Sequence, residues 1–416
     1  MDTQLADFIR DTRAGKIAGE ILRKCVHCGF CTATCPTYQV LGDELDGPRG
    51  RIYLIKQVLE GQPVTEKTRL HLDRCLTCRS CETTCPSGVK YSHLLDIGRE
   101  VVESRLKRPL KEAVPRALLK AVLPRPALFG AAVGLGRAVR PLLPNVLADK
   151  LPDARPAGAW PAPDRHPRRM LALAGCVQPS LAPNINAATA RVLDRLGISL
   201  FEEKKAGCCG AVRFHLNDPA AAKADMRRNI DAWWPHVEAG VAAIVVTASG
   251  CGVQVRDYAH VLNDDPDYAE KAARISALCR DPSEIVLAEM EKLLSFLPQS
   301  TNSRGKLAFH TPCTLQHGLK IRGAVETVLQ RSGFELVAVS ESHLCCGSAG
   351  TYAVLQEALA STLRTRKLAA LTAGNPGVIA TANIGCLTHL QAGCSVPVRH
   401  WIELIDEVMG DRGIAG

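Results

Sequence analysis

Two runs of four cysteines with identical spacing carry the clearest chemistry in this sequence. The first run is Cys25, Cys28, Cys31 and Cys35, and the second, fifty residues later, is Cys75, Cys78, Cys81 and Cys85. Both have the spacing C-x2-C-x2-C-x3-C, and a proline follows each fourth cysteine. Thiolates are soft donors that suit iron-sulfur clusters or zinc, and this spacing is typical of proteins that hold two [4Fe-4S] clusters.

The fourth cysteine of each run is expected to serve the cluster of the other run. In this pattern three closely spaced thiolates hold one cluster and the fourth reaches across. One [4Fe-4S] cluster is therefore predicted on Cys25, Cys28, Cys31 and Cys85. The second is predicted on Cys75, Cys78, Cys81 and Cys35. Zinc is the alternative, but a zinc site would normally close with two CxxC pairs or a mixture of Cys and His.

A further set of cysteines marks an internal duplication. Cys176, Cys208 and Cys209 are matched 137 residues later by Cys313, Cys345 and Cys346, and each set is followed by one more cysteine, Cys251 or Cys386. A glycine after each adjacent pair permits a backbone geometry that turns both sulfurs toward one centre. We expect these eight cysteines to bind a cofactor. An additional iron-sulfur cluster at one or both repeats, a thiol redox site, and nothing in one repeat are the alternatives.

The elements that must position these cysteines alternate between strand and helix patterns. This alternation predicts an α/β layer with a parallel sheet in each repeat. Ligands of open parallel sheets lie outside the carboxyl ends of the strands. Strands predicted over 170–174 and 307–310 end just before Cys176 and Cys313, and Cys251 and Cys386 also follow predicted strands. Four thiolates should therefore converge on one rim of each repeat.

Composition divides the chain into four parts and predicts an α+β multidomain fold. Residues 1–108 are predicted to form a largely helical, ferredoxin-type domain with two [4Fe-4S] clusters. Residues 109–167 read as a basic linker rich in Pro, Ala and Leu, whose prolines allow only short helices. Residues 168–300 and 301–416 are the two α/β repeats. The linker is interpreted as a connector rather than as a surface that rests on a membrane or a partner.

Charge and hydropathy narrow the class of protein. The 416 residues include 18 cysteines, and the formal net charge is +9. No secretory signal precedes the cysteines, so a reducing compartment is expected, and no apolar run is long enough for a transmembrane segment. The positive charge suits anionic lipid or an acidic partner subunit. Nucleic acid is not expected as a partner, because aromatic content is 4% and no recognition motif accompanies the charge.

Four residues near these motifs have more than one interpretation. Cys279 sits in a helix pattern and is expected to be a small core residue, whereas Cys394 could add a ligand to the second repeat. His310 and His317 flank Cys313. Either histidine could transfer protons at a cofactor or could simply be solvated.

The two cysteine runs and the paired-cysteine repeats together resemble the iron-sulfur subunits of membrane-associated dehydrogenases and heterodisulfide reductases. Within that group the sequence is most similar to the iron-sulfur subunits of bacterial glycolate oxidase, also called glycolate dehydrogenase. The resemblance covers nearly the whole chain and is carried by residues 25–38, 42–53, 248–252 and 343–352. The repeats correspond to the CCG, or cysteine-rich, domains of that family. The fullest CCG form ends in CxxC, where this sequence has Gln254 and His389.

The resemblance implies an oxidoreductase complex with FAD-containing glycolate oxidase subunits. Glycolate would be oxidised to glyoxylate at the flavin of a partner, so no catalytic residue is expected here, and this chain would pass electrons toward a membrane quinone. It implies a cytoplasmic protein, peripheral on the inner face of the cell inner membrane. The alternatives are a subunit of a related lactate or glycerol-3-phosphate dehydrogenase, a heterodisulfide-reductase-like catalyst acting at its own CCG site, and a scaffold.

Overall fold

The N-terminal region is a set of helices around one hydrophobic core. The computed structural model describes residues 1–140, 155–297 and 303–410. Buried Leu22, Ile55, Leu59 and Leu94 form the centre of this core. The α-helices are Asp7–Arg10, Arg13–Lys24, Pro36–Leu41, Pro48–Leu59, Glu66–Asp73, Ser80–Thr84 and Tyr91–Arg105, with 3-10 turns at Phe30–Thr32 and Glu44–Asp46.

Two helices occupy the described part of the proline-rich linker. Leu110–Val122 and Pro126–Ala138 have thirteen residues each, longer than the proline spacing predicts. Pro115 is accommodated inside the first of them. Over the described residues no single helix has the length and hydropathy of a membrane span, and these two reach it only as a pair bent by 108°. The remaining prolines of the prediction, Pro141 and Pro144, lie outside the described residues.

The first repeat contains a parallel sheet, as predicted, and this sheet has four strands. Its strands are β1 (Arg168–Ala172), β2 (Ile198–Glu202), β3 (Ile244–Val245) and β4 (Cys279–Arg280), in the order β2-β1-β3-β4. The helices around the sheet are Gln178–Leu181, Asn184–Arg195, Ala211–His215, Pro219–Glu238, Ser249–Arg256, Tyr258–Val261, Ala269–Leu278, Pro282–Ala288 and Met290–Phe296.

The second repeat has the same sheet order. Its strands are β5 (Lys306–His310), β6 (Glu335–Leu336), β7 (Val378–Thr381) and β8 (Val398–His400), paired in parallel as β6-β5-β7-β8. A π-helical turn covers Thr314–Gly318, and the helices are Ala324–Arg331, Tyr352–Leu355, Glu357–Thr372, Ile384–Gln391 and Trp401–Gly410. The predicted order of strands and helices is confirmed, although β6 is shorter than the predicted strand.

The fourth strand of each sheet was not predicted. Cys279 begins β4 and pairs with Ile244, so the helix pattern assigned to it is wrong, although it is a buried core residue as expected. The helix ends one residue earlier, at Leu278. A two-residue strand has too little alternation to be visible in the sequence, and only its pairing with β3 defines it.

The two repeats share one hydrophobic core. A single cluster of buried side chains includes Ile185 and Leu193 from the first repeat and Ile402 and Ile405 from the second. The Arg191 guanidinium also contacts the Asp406 carboxylate at 2.6 Å across this interface. The proposed domain boundary at residues 300 and 301 lies outside the described residues. The repeats therefore pack as one unit.

We expect a buried histidine at this interface, His400, to make the folded protein less stable at acid pH. His400 Nε2 donates to the Thr247 carbonyl at 3.1 Å, and burial lowers the pKa of His400 to about 4. Below pH ~6.5 the unfolded chain takes up a proton on this residue that the folded chain refuses until about pH 4. The contribution of His400 to the free energy of unfolding is therefore complete above pH ~6.5. As the pH falls from ~6.5 to about 4, the free energy of unfolding should decrease by about 1.4 kcal/mol per pH unit.

The comparison of wild type with His400→Gln isolates this effect. Urea unfolding under anaerobic conditions at pH 7 and pH 5 should show a smaller acid-induced loss of unfolding free energy in the variant. Equal losses in the two proteins would contradict the assignment.

Candidate metal centres

The eight cysteines of the two runs line two neighbouring cavities in the crossed arrangement. One cavity is lined by Cys25, Cys28, Cys31 and Cys85. The other is lined by Cys35, Cys75, Cys78 and Cys81. Cys81 also borders the first cavity and so lies between the two. Each cavity therefore receives three cysteines from one run and the last cysteine of the other.

The two cysteine loops share an unusual backbone conformation. His27 and Gly29 in the first loop have positive φ, and so do Thr77 and Arg79 at the same places in the second. Such angles cost on the order of 1–3 kcal/mol outside glycine and cluster at functional sites. Thr34 and Thr84, also equivalent, contact each other through their hydroxyls at 3.1 Å. The loops are thus two copies of one structure facing each other.

Burial makes the thiolate form of three of these cysteines unfavourable unless a cation is bound. Burial raises the pKa of Cys31 to about 11 and raises the pKa of Cys78 and of Cys81 well above the usual value. Thiolates rather than thiols bind metals, so metal binding here must release protons. Four converging soft donors in each cavity fit an iron-sulfur cluster, which would be held by these side chains.

A buried ion network ties the two cysteine runs together. The Arg51 guanidinium donates to the His71 carbonyl at 2.6 Å, to Thr37 Oγ1 at 3.1 Å and to Asp46 Oδ1 at 3.3 Å. Arg74 contacts the other oxygen of Asp46 at 2.8 Å. Thr37 follows the first run and His71 precedes the second, so Arg51 links the segments that carry Cys35 and Cys75.

The second cavity lies against the second repeat. Leu76 and Cys78 pack in one buried cluster with Cys313 and Cys345. Tyr352 of the second repeat donates to the Arg74 carbonyl at 3.1 Å in the same region. Thiols of the N-terminal region and of the second repeat are therefore neighbours.

Four thiols converge in the first repeat. The thiols of Cys176 and Cys209 donate to Cys208, which lowers the pKa of Cys208 well below the usual value, and Cys209 also contacts Cys251. The Gly210 amide points at Cys208 Sγ at 3.5 Å. Gly210 has φ 90°. Gly210 was predicted only to permit the turn of the backbone, but its own amide also points at a cysteine sulfur.

The second repeat repeats this geometry. Cys313 and Cys345 lie 3.8 Å apart through their sulfurs, Cys345 contacts Cys346, and Cys346 contacts Cys386. The Gly347 amide points at Cys345 Sγ at 3.4 Å. A Cβ on Gly347 would lie 2.5 Å from the Ala360 carbonyl oxygen, so this position requires glycine. The expected convergence of four thiols occurs in both repeats.

Models of two known families match these regions. A 4Fe-4S dicluster domain matches residues 21–89, which contain all eight cysteines of the two runs. A cysteine-rich CCG domain matches twice, at residues 170–256 and 307–391.

Relatives of known name extend the similarity to the whole chain. The glycolate oxidase iron-sulfur subunit of Escherichia coli (strain K12) is 57% identical over 411 residues, which cover 98% of this chain and 99% of the relative. The chain belongs to the family of glycolate oxidase iron-sulfur subunits. The probable glycolate oxidase iron-sulfur subunit of Bacillus subtilis (strain 168) is 31% identical, with 95% of each chain covered. The lactate utilization protein A of Geobacillus kaustophilus (strain HTA426) is 24% identical and covers only 53% of this chain.

Membership of the glycolate oxidase iron-sulfur subunit family confirms the [4Fe-4S] cofactors and the CCG repeats that the sequence predicts.

The two histidines that flank Cys313, His310 and His317, are both buried, so the interpretation that they are solvated is wrong. His317 is held between Thr83 Oγ1 at 2.8 Å and the His343 carbonyl at 3.0 Å. Burial lowers the pKa of His317 to about 4, so it is neutral.

Two functional features of this family member were missed by the sequence analysis. The contact of Cys78 with the second repeat joins residues more than two hundred positions apart, which no local pattern reveals. The Asp46–Arg51 pair lies inside residues 42–53, a stretch noted only for its resemblance. Cys394 is half-buried against the core of its repeat, and it is not among the three side chains His310, Cys346 and Cys386 whose ligand atoms lie within 4.8 Å of one another.

Proposed function

We propose that this chain is the electron-transfer subunit of a glycolate oxidase complex. An FAD-containing partner subunit oxidises glycolate to glyoxylate, and this chain passes the electrons to a membrane quinone at the cytoplasmic face of the inner membrane. Oxidation of glycolate releases two electrons and two protons, and reduction of a quinone to a quinol consumes both. A [4Fe-4S] cluster exchanges one electron at a time, so two clusters suit a relay between two-electron reactions.

The proposed ligands follow the two cavities. One cluster is held by Cys25, Cys28, Cys31 and Cys85. The other is held by Cys75, Cys78, Cys81 and Cys35. The CCG cysteines form two further binding sites. These are Cys176, Cys208, Cys209 and Cys251 in the first repeat, and Cys313, Cys345, Cys346 and Cys386 in the second.

One observation carries the relay proposal. Cys78 of the second cavity shares one buried cluster with Cys313 and Cys345 of the second CCG repeat. This proximity places the proposed second cluster beside the second repeat and gives electrons a van der Waals path out of the N-terminal region. The first cavity lies on the other side of Cys81, with Cys28 exposed to solvent. We take the first cluster as the entry point that faces a partner, and the second cluster, beside the second repeat, as the next carrier.

Purification of the complex from its host tests the proposal. The tagged chain should be isolated anaerobically together with its partner subunits and should contain about eight irons in residues 21–89. Glycolate should reduce these clusters in the complex, seen by electron paramagnetic resonance, and should leave the isolated chain oxidised. Zinc in place of iron would contradict the proposal.

The same preparation separates the alternatives. Glycolate turnover by the chain without partners would favour catalysis at its own CCG site. Reduction by lactate or glycerol 3-phosphate instead of glycolate would favour a related dehydrogenase. If a complex that contains the Cys346→Ser variant still assembles and transfers electrons fully, a docking role for the CCG repeats is favoured.

A further inference from the structure

We infer that the second CCG repeat binds a single zinc-like divalent ion through His310 together with Cys346 and Cys386. A ring nitrogen of His310 and the sulfurs of both cysteines lie within 4.8 Å of one another. All three side chains are buried. The inference rests on the part of the proposed function that makes Cys346 and Cys386 ligands, and it replaces a four-thiolate set by a mixed one.

The His310 side chain has one nitrogen without a partner. Nδ1 lies 2.9 Å from Thr381 Oγ1, whereas Nε2 is buried and has no hydrogen-bond partner. The residue is only 2% exposed. A buried polar atom without a partner costs about 1–3 kcal/mol. A metal ion at Nε2 removes that cost, and the hydroxyl at Nδ1 holds the ring in the tautomer that a ligand needs.

The pairing of β5 with β7 places His310 opposite Thr381. His310 is the last residue of β5, and Thr381 is the last residue of β7, directly opposite in the parallel pairing. Both side chains therefore stand at the carboxyl edge of the sheet, where ligands of such sheets bind. The ring cannot turn away without losing the contact with Thr381.

The spacing of the donors fits one ion rather than a cluster. Zinc takes sulfur at ≈ 2.3 Å and nitrogen at ≈ 2.0 Å in tetrahedral geometry, which places ligand atoms about 3.5–4 Å apart. Donors around a four-iron cube stand farther apart because four metal ions lie between them. Among the described residues, no three of the eight N-terminal cysteines lie within 4.8 Å of one another, whereas the His310 group does.

A neighbouring amide holds the Cys386 side chain in position. The Asn383 amide donates to Cys386 Sγ at 3.3 Å, and Cys386 lies in the first turn of helix Ile384–Gln391. Cys345, which contacts Cys346, is the nearest further sulfur and can complete the coordination.

The first repeat lacks this histidine. Three residues before Cys176 stands Leu173, a buried core residue, where the second repeat has His310 three residues before Cys313. The first repeat therefore offers thiols alone. The two CCG repeats, alike in fold, differ in the ligand chemistry of their rims.

Metal analysis of three variants of the full chain tests the inference. Wild type purified anaerobically should contain on the order of one zinc besides its iron. His310→Leu, which installs the residue of the first repeat, should lower zinc affinity at least about 100-fold, since loss of a second-shell partner already costs about 10–100-fold. Iron should be unchanged. Cys394→Ser, a cysteine of the same repeat outside the group, is the control and should keep its zinc.

Zinc-edge X-ray absorption keeps the test decisive if His310→Leu does not fold. Wild type should show one nitrogen and otherwise sulfur neighbours, and His310→Cys should retain zinc with sulfur neighbours only. A wild type without zinc, or a nitrogen neighbour that persists in His310→Cys, would overturn the inference. Neither measurement uses glycolate, so a failure of the proposed electron relay would leave the zinc result standing, and the reverse also holds.

Discussion

Replacing Cys35 by serine should remove the cluster proposed on Cys75, Cys78 and Cys81 and spare the cluster beside Cys35 in sequence. The reason is that Cys35 lines the second cavity, while the other three cysteines of its run line the first. Serine is a poor ligand for iron compared with a thiolate. Iron should fall from about eight to about four per chain. Iron analysis combined with electron paramagnetic resonance of the reduced protein measures the loss.

The mirror-image variant is the matched control for this experiment. Cys85→Ser should remove the cluster on Cys25, Cys28 and Cys31 and spare the other, giving a second and different spectrum. Cys279→Ser changes a buried cysteine of the first repeat and should leave the iron count unchanged. Loss of the first cluster alone in Cys35→Ser would show that each run binds its own cluster and would refute the crossed arrangement.

Replacing Arg51 by methionine should destabilise the protein by about 3–5 kcal/mol, the usual cost of breaking one buried ion pair from one side. The Arg51 and Asp46 side chains are 1% and 0% exposed, so water cannot replace the lost partner. The variant also frees the His71 carbonyl and Thr37, which hold the segments of Cys75 and Cys35 in place. We therefore expect weaker iron retention at the second cavity. Urea unfolding and the rate of iron loss to a chelator are the measurements.

Arg331→Met provides the comparison. The Arg331 guanidinium pairs with Glu291 at 3.0 Å, but both side chains are largely exposed. Exposed pairs contribute about 0–1 kcal/mol, so stability should change little and iron should be lost at the wild-type rate. Equal destabilisation by the two substitutions would mean that the buried position of Arg51 has no special energetic role.

The convergence of the cysteines and the parallel sheets could be predicted because their signals are local. Cysteine spacing repeats at fixed offsets, and strands such as β1 and β5 are apolar runs long enough to be recognised. β4 and β8 are too short to show a pattern, and only pairing with β3 and β7 defines them.

The metal-binding role proposed for His310 depends on a proximity that the sequence does not encode locally. Its neighbours Cys346 and Cys386 follow it by 36 and 76 residues, and only the folded sheet edge brings the three together. Proximity to Cys313 in sequence suggested a proton-transfer group instead. The same limit explains why the contact of Cys78 with Cys345 was not foreseen.

The unequal burial of the two cavities has a consequence for the order in which the protein is made. Cys28 is exposed, but Cys35, Cys75, Cys78 and Cys81 are all buried, and Cys78 shares a buried cluster with side chains of the second repeat. The first cavity thus offers a cluster-delivery protein an exposed cysteine, whereas all four cysteines of the second are buried. We therefore expect the second cluster to be inserted while the chain is still being synthesised, before residues 306–410 leave the ribosome and close over it.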